Sequence, residues 1–326
     1  MKNISSKSRP RLPLLLKAAL AVFCLWVPSR VSGQEPGRHL DLIIGADFNY
    51  RDINYVRQWD VLLNINPAFK WDLGHNWMFS GKVVVPVLNQ YGNDYERTRV
   101  DMAVLSKSFW INGLYGKASA GWFSMNRYGI DTKWFMPFSA WVAAEAQVGY
   151  TGFISMTDGL ATSPIDRLTW TLGGDIYFTG TNCQLRCVIG RFVYNDVGLY
   201  VEAMRHFRHT SVSLFAKYSD ADDLDAGFKA IVMLPPYRES ERAIRIRPAS
   251  NFRFTNIIKY HVLSNRMYAT DPEENEREGW FDRHFLYWGV NAADLEPDNR
   301  GHEAPKWDPL WDQNWDDDTE NKEAEP

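Results

Sequence analysis

The 326-residue chain is poor in cysteine, poor in long apolar runs and nearly without net charge in its body. Each shortage excludes something. Three cysteines, one of them in the first 33 residues, cannot build a disulfide scaffold, and without a matching histidine pair they do not read as a metal site. No stretch past the N-terminus reaches the ~18 uninterrupted apolar residues of a membrane helix. The formal net charge is −4. The first 33 residues carry six bases and no acid, and residues 291–326 carry twelve acids and three bases, which leaves 34–290 near −1. A body so balanced offers no basic face for nucleic acid.

The N-terminus reads as an export signal. Lys2, Lys7, Arg9 and Arg11 precede an apolar stretch from Leu12 to Val27, broken by Lys17, and Val31-Ser32-Gly33 supplies a cleavage site. An N-terminal membrane anchor is the alternative; the internal lysine and short apolar run count against it. Phe23 before Cys24 stands where a lipoprotein signal needs a small residue, so no lipid anchor is expected.

What the chain does have is alternation. Leu40, Leu42, Ile44, Ala46 and Phe48 are apolar, and Asp41, Asp47 and Asn49 lie between them. Successive strand residues point to opposite faces, so such a segment has one oily and one wet side. The pattern returns in Trp59–Asp72, where Asn64 and Asn66 oppose Leu63 and Ile65, and in Trp77–Val87, where Ser80 and Lys82 oppose Phe79 and Val83. In Arg97–Trp110, Val100, Met102 and Val104 stand against Arg99, Asp101 and Lys107. Tyr115–Arg127 reads as a strand of small residues with no clear faces, and Gly129–Ser139 as a loop. Leu168, Trp170, Leu172, Ile176 and Phe178 alternate with Thr169, Thr171, Asp175 and Tyr177. Gln184 and Arg186 share a face, as do Ser211, Ser213 and Lys217. A last strand sets Phe252, Phe254, Ile258 and Tyr260 against Arg253, Thr255 and Lys259.

About twelve strands follow, many longer than the ~5–6 residues usual in a soluble sandwich and close to the ~9–11 needed to cross a bilayer at a tilt. The expectation is an all-β chain: a transmembrane antiparallel β-barrel of about twelve strands over 34–290, in a Gram-negative outer membrane, lipid outside and water inside. Fourteen Trp, fifteen Tyr and eighteen Phe suit interfacial girdles. If Cys183 and Cys187 lie on a strand they are two thiols on one face, ~13 Å apart and beyond disulfide reach; on a turn they could pair, as export permits. Residues 291–326 form an acidic tail with Trp307-Asp308, Trp311-Asp312 and Trp315-Asp316, four residues apart. That spacing suits a docking helix for a periplasmic or outer-membrane secretion partner, and the composition suits a disordered tail.

The run from Val188 carries Gly190-Arg191-Phe192, Asp196-Val197-Gly198, Arg205-His206-Phe207, Ser219-Asp220 and Leu234-Pro235. Over about 60 residues this resembles the C-terminal barrel of the YjbH-type outer-membrane proteins of exopolysaccharide and capsule gene clusters. The chain is shorter than the two-barrel members, and Asp222-Asp223-Leu224-Asp225 replaces a glycine-rich loop. The resemblance implies a part in secretion or surface association of a polysaccharide.

Two non-enzymatic readings follow. In a conduit, Asp47, Asn64, Lys82, Asp175, Tyr177, Arg186, Ser213, Lys217, Arg253 and Lys259 line a wet lumen and contact the polymer. In a plugged scaffold, the same mixed charges pair and close it. An outer-membrane hydrolase is the remaining alternative. No histidine sits in a nucleophile motif, and His206 with Glu202 is the single pairing worth testing. No cofactor is expected.

Overall fold

The computed structural model describes residues 39–52, 59–90, 97–111, 114–139, 141–155, 160–178, 181–207, 210–221, 224–233, 243–249, 251–257 and 266–274. The expected signal at 1–33, the tail at 291–326, Pro235 and Lys259 lie outside the described residues.

The strands are β1 (Leu40–Asp52), β2 (Trp59–Gly74), β3 (Trp77–Asn89), β4 (Arg99–Ile111), β5 (Leu114–Phe123), β6 (Arg127–Pro137), β7 (Val142–Ser155), β8 (Ala161–Thr162), β9 (Arg167–Phe178), β10 (Cys183–Arg191), β11 (Val197–His206), β12 (Thr210–Ser219), β13 (Asp225–Met233), β14 (Ile244–Pro248) and β15 (Asn251–Ile257). Apart from β8, which pairs only with β7, each strand follows its neighbour in an antiparallel meander from β1 to β13. β14 and β15 then run parallel to β1, which also pairs with β2, and the sheet closes. The result is a closed barrel of 13 strands, with β14 and β15 forming the two halves of the last.

The count of 13 agrees with the expected total of about twelve and is odd. In an up-and-down meander an odd strand total makes first and last strands point the same way, so closure must be parallel. The register confirms it: Leu42 opposes Ile246, and Phe48 opposes Phe254.

Alternation fixes the faces. Thr169, Thr171, Asp175 and Tyr177 of β9 are buried, and Leu168, Leu172, Ile176 and Phe178 are exposed. Two segments depart from the sequence reading. Residues 129–137 belong to β6, because the turn at 124–126 uses Met125 and Asn126 at φ 58° and 56°, and the chain is already back in the sheet at Arg127. Met102 and Val104 face inward rather than outward. A bulge puts Asp101 and Met102 together opposite Lys82, which flips the phase of the rest of β4.

Cys183 and Cys187 lie on β10 as free thiols, as the strand reading requires. β2 turns into β3 through His75-Asn76, both with positive φ.

Candidate functional site

The barrel interior is built from the inward residues of alternate strand positions, and it divides into two halves by the way its charges are balanced. In one half, the wall neutralises itself. Lys82 meets Asp101 at 2.9 Å and Lys229 meets Glu202 at 2.8 Å. Arg186 grips Glu145 through Nε at 2.9 Å and Nη2 at 2.7 Å, and stands in register with Asp175. Lys217 lies 3.6 Å from Asp225. Asn66 donates to Asp47, Tyr177 donates to Asn182 at 3.1 Å, and Arg253 donates to Asn251 at 3.0 Å. Asn64 and Ser213 are buried on the same lining. The expected lumen residues that are described thus share the interior, many of them engaged with one another across the wall.

In the other half the wall is only partly self-balanced, Asp41 of β1 meeting Arg247 at 3.0 Å. Lys117 of β5 and Lys133 of β6 stand directly opposite in register, and both are buried. Like charges so placed repel. Lys70 of β2 and Arg247 of β14 add two more cations. Asp41 of β1 stands in register with Lys70, and further acids come from outside the sheet, on residues 266–274, which run through the lumen. Asp271 lies 2.8 Å from Lys70 and 3.1 Å from Lys117. Glu273 lies 2.8 Å from Lys70 and accepts two hydrogen bonds from the Arg247 guanidinium, at 2.8 and 2.9 Å. Glu274 lies 2.7 Å from Lys133. Three carboxylates bridge four cations.

The local sequence explains the shape of the segment. Thr270-Asp271-Pro272-Glu273-Glu274 is a turn signature. The Thr270 and Asp271 amides donate to the Glu274 carboxylate at 2.8 and 3.2 Å, and the Glu273 amide donates to Asp271 at 3.1 Å. Burial would push both carboxyls upward. For Asp271 the ammoniums of Lys117 and Lys70 outweigh it and hold the group below the usual range. For Glu273, Lys70 and Arg247 outweigh it and bring the value to about 2.

Above this ionic cluster the lumen is packed with apolar side chains. Met267, Tyr268 and Ala269 are fully buried against Met102, Val104, Phe123, Val188 and Phe192. Tyr268 stacks on Phe123 at 5.1 Å, donates to Asp131 at 2.8 Å and lies 3.3 Å from the Thr169 hydroxyl. Gly149 makes room for it: a Cβ there would overlap the tyrosine oxygen. The Ser124 amide donates to the Ala269 carbonyl at 3.2 Å, and the Ala269 amide donates to Ser124 Oγ at 2.7 Å.

None of this was assigned from sequence. Alternation places Lys70 inward, but β5 had no readable faces and β6 was read as loop, so the Lys117–Lys133 clash stayed hidden. The turn signature at 270–274 was there to be found; its place inside the barrel was not.

The resemblance motifs fall on turns and strand ends. Gly190 ends β10 under the Trp170 carbonyl, where a Cβ would clash. Arg191 donates to Asn195, Asp196 accepts from Ser219 Oγ at 3.0 Å, and Asp220 accepts from the Val197 amide at 2.8 Å. Gly198 opens β11 opposite Gly190, and Arg205 lies 5.5 Å over the Phe207 ring near its end. His206 and Glu202 are not a pair. His206 contacts Ser211 at 2.9 Å and Gln184 at 3.1 Å, while Glu202 answers Lys229 and Tyr200. Among the described residues no group of His, Cys, Asp and Glu is arranged to hold a metal ion. Compared with known proteins, the chain matches no protein-family model and no curated protein.

Proposed function

We propose that this chain is an outer-membrane β-barrel, closed in its resting form by residues 266–274, that serves exopolysaccharide or capsule traffic as an accessory rather than as a standing pore. One observation carries the membrane assignment: the polarity of the barrel is inverted. Ile44 is 57% exposed, Leu172 56% and Leu214 67%, whereas Lys133 is 1% and Glu202 1% exposed. In water such an outer surface is a far larger apolar patch than a soluble monomer tolerates. In lipid it is the expected exterior of a sheet closed on itself by strand-to-strand hydrogen bonds.

The polysaccharide part rests on the resemblance across 188–235, whose motif residues build turns here and supply no chemistry of their own. The closed part rests on the Met267–Ala269 core and the ion pairs below it, which fill the section a polymer would need.

The test is fractionation and conductance. The mature chain is expected in the outer-membrane fraction and to need detergent for monodispersity. It should be electrically silent in a planar bilayer, and its deletion should reduce surface polymer. A chain monodisperse in plain buffer and recovered with the periplasm removes the membrane assignment. A steadily conducting wild-type barrel replaces the closed form with an open conduit.

A further inference from the structure

We propose that the buried cations Lys70, Lys117, Lys133 and Arg247 form an anion-binding site of the lumen, that residues 266–274 occupy it as an internal competitor, and that the site takes a carboxylate-bearing glycan. This rests on the proposed function and narrows its polymer class from any polysaccharide to an acidic one.

Two independent observations support it. The first is the wall itself. Cross-strand cation pairs are avoided because neighbouring side chains in register sit close together. Yet Lys117 and Lys133 face one another across β5 and β6, both buried. Elsewhere in the lumen the wall supplies an acid for the base, as Asp101 does for Lys82 and Glu202 for Lys229. A wall meant only to be sealed would be expected to follow that rule throughout. Here Asp41 of β1 meets Arg247 at 3.0 Å, but the facing Lys117 and Lys133 meet Asp271 and Glu274 of a separate segment, at 3.1 and 2.7 Å.

The second is how that segment is held. Residues 266–274 are no strand of the barrel. Side chains make most of the contacts, including Lys70–Asp271, Lys70–Glu273, Lys117–Asp271, Lys133–Glu274 and Arg247–Glu273. Its backbone bonds to the walls and turns run to Ser124 and Val193. The segment can therefore leave without opening a single β-ladder. What it would leave behind is the facing Lys117 and Lys133, flanked by Lys70 and by Arg247, which keeps its bond to Asp41; a neutral sugar has no charge to take the place of the departed carboxylates. Asp271, Glu273 and Glu274 then stand in for the carboxylates of the ligand. Strong charge-assisted hydrogen bonds of this kind are exchangeable between one carboxylate and another.

The experiment uses the mature full-length protein in detergent and in planar bilayers. The probes are oligogalacturonate, a polycarboxylate glycan, and a maltooligosaccharide of similar length as the neutral counterpart. In the wild-type protein, oligogalacturonate should speed hydrogen exchange at 266–274 by about tenfold while the strands stay protected, and the maltooligosaccharide should not. The triple variant Asp271→Asn, Glu273→Gln, Glu274→Gln should open a chloride-selective conductance that oligogalacturonate blocks. Adding Lys117→Gln and Lys133→Gln should weaken that block by about tenfold or more. Unchanged exchange in the wild type overturns the proposal, and this arm does not depend on whether a variant folds. So does equal block by the neutral glycan, or a folded triple variant that stays silent. Vesicle insertion of the wild type separates the two levels: an inserted barrel indifferent to both glycans sinks this inference alone, whereas a chain that refuses the bilayer sinks the membrane reading beneath it.

Discussion

At the scale of single residues, the interior is a set of charges that tolerate burial only because each has a partner. Removing one member of a buried pair leaves the other desolvated and unanswered, at a cost of ~3–5 kcal/mol. Arg186 is the clearest case, since its guanidinium forks onto Glu145 and also stands opposite Asp175. Arg186→Met should lower barrel stability by about that amount, read from the urea midpoint of tryptophan fluorescence in detergent. Arg186→Met combined with Glu145→Leu should recover part of the loss, because the double variant buries one carboxylate fewer. Gly149 makes a sharper case. Its missing Cβ is the space that the Tyr268 hydroxyl fills. Gly149→Ala should displace the tyrosine and deprotect amides 266–270 while β7 stays protected, as hydrogen exchange by mass spectrometry would show. Equal protection in both proteins would mean the tyrosine has another way to fit. Nothing in the run Ala146-Gln147-Val148-Gly149-Tyr150 announces this role: a small residue in a strand is legible, and what comes to sit on it 119 positions later is not.

At the scale of elements, β9 was legible because every second residue is polar and the strand carries no irregularity. β4 was not, for one physical reason: a bulge adds a residue to one strand and so reverses the phase that alternation depends on. β6 was lost to its turn. Met125 and Asn126 adopt left-handed conformations without a glycine or proline to mark them, while Gly129, a stronger visual cue, lies inside the strand. The thirteenth strand escaped the count because β6 was read as loop; the last strand was legible from Phe252 on, but not its break into two. Ile244–Pro248 pairs only with β1, and only Asn251–Ile257 bridges β1 to β13. This broken, parallel seam is where the barrel departs most from a regular meander. Cysteines at Leu42→Cys and Ile246→Cys stand in register on the outer face there. Neighbouring strands bring such positions within disulfide range, so oxidation should cross-link them, detectable as a joined peptide pair after proteolysis. An even barrel closed by an antiparallel pair would leave them unlinked.

At the scale of the whole molecule, a rigid ladder surrounds a segment bound mainly through side chains, and the two should respond differently to acid. Asp271 and Glu273 have ordinary values of 3.8 and 4.5 and are both held lower in the folded protein, Glu273 at about 2. A depressed carboxylate contributes stability that is fully present above its unfolded value and is lost as pH falls through the folded one. The segment is therefore secure at neutral pH and loosens between about pH 4.5 and pH 2. Lys70, Lys117, Lys133 and Arg247 face it from β2, β5, β6 and β14. Protonating the carboxylates then removes the attraction and leaves the repulsion between Lys117 and Lys133. The backbone ladder that joins the wall strands does not titrate. Hydrogen exchange followed down the pH scale, corrected for intrinsic rates, should show 266–274 losing protection while β9 to β12 keep theirs, with bilayer conductance rising over the same interval. Loss of segment and wall in one step would mean that the barrel and its occupant form a single cooperative unit, and the lumen would then have no separable gate.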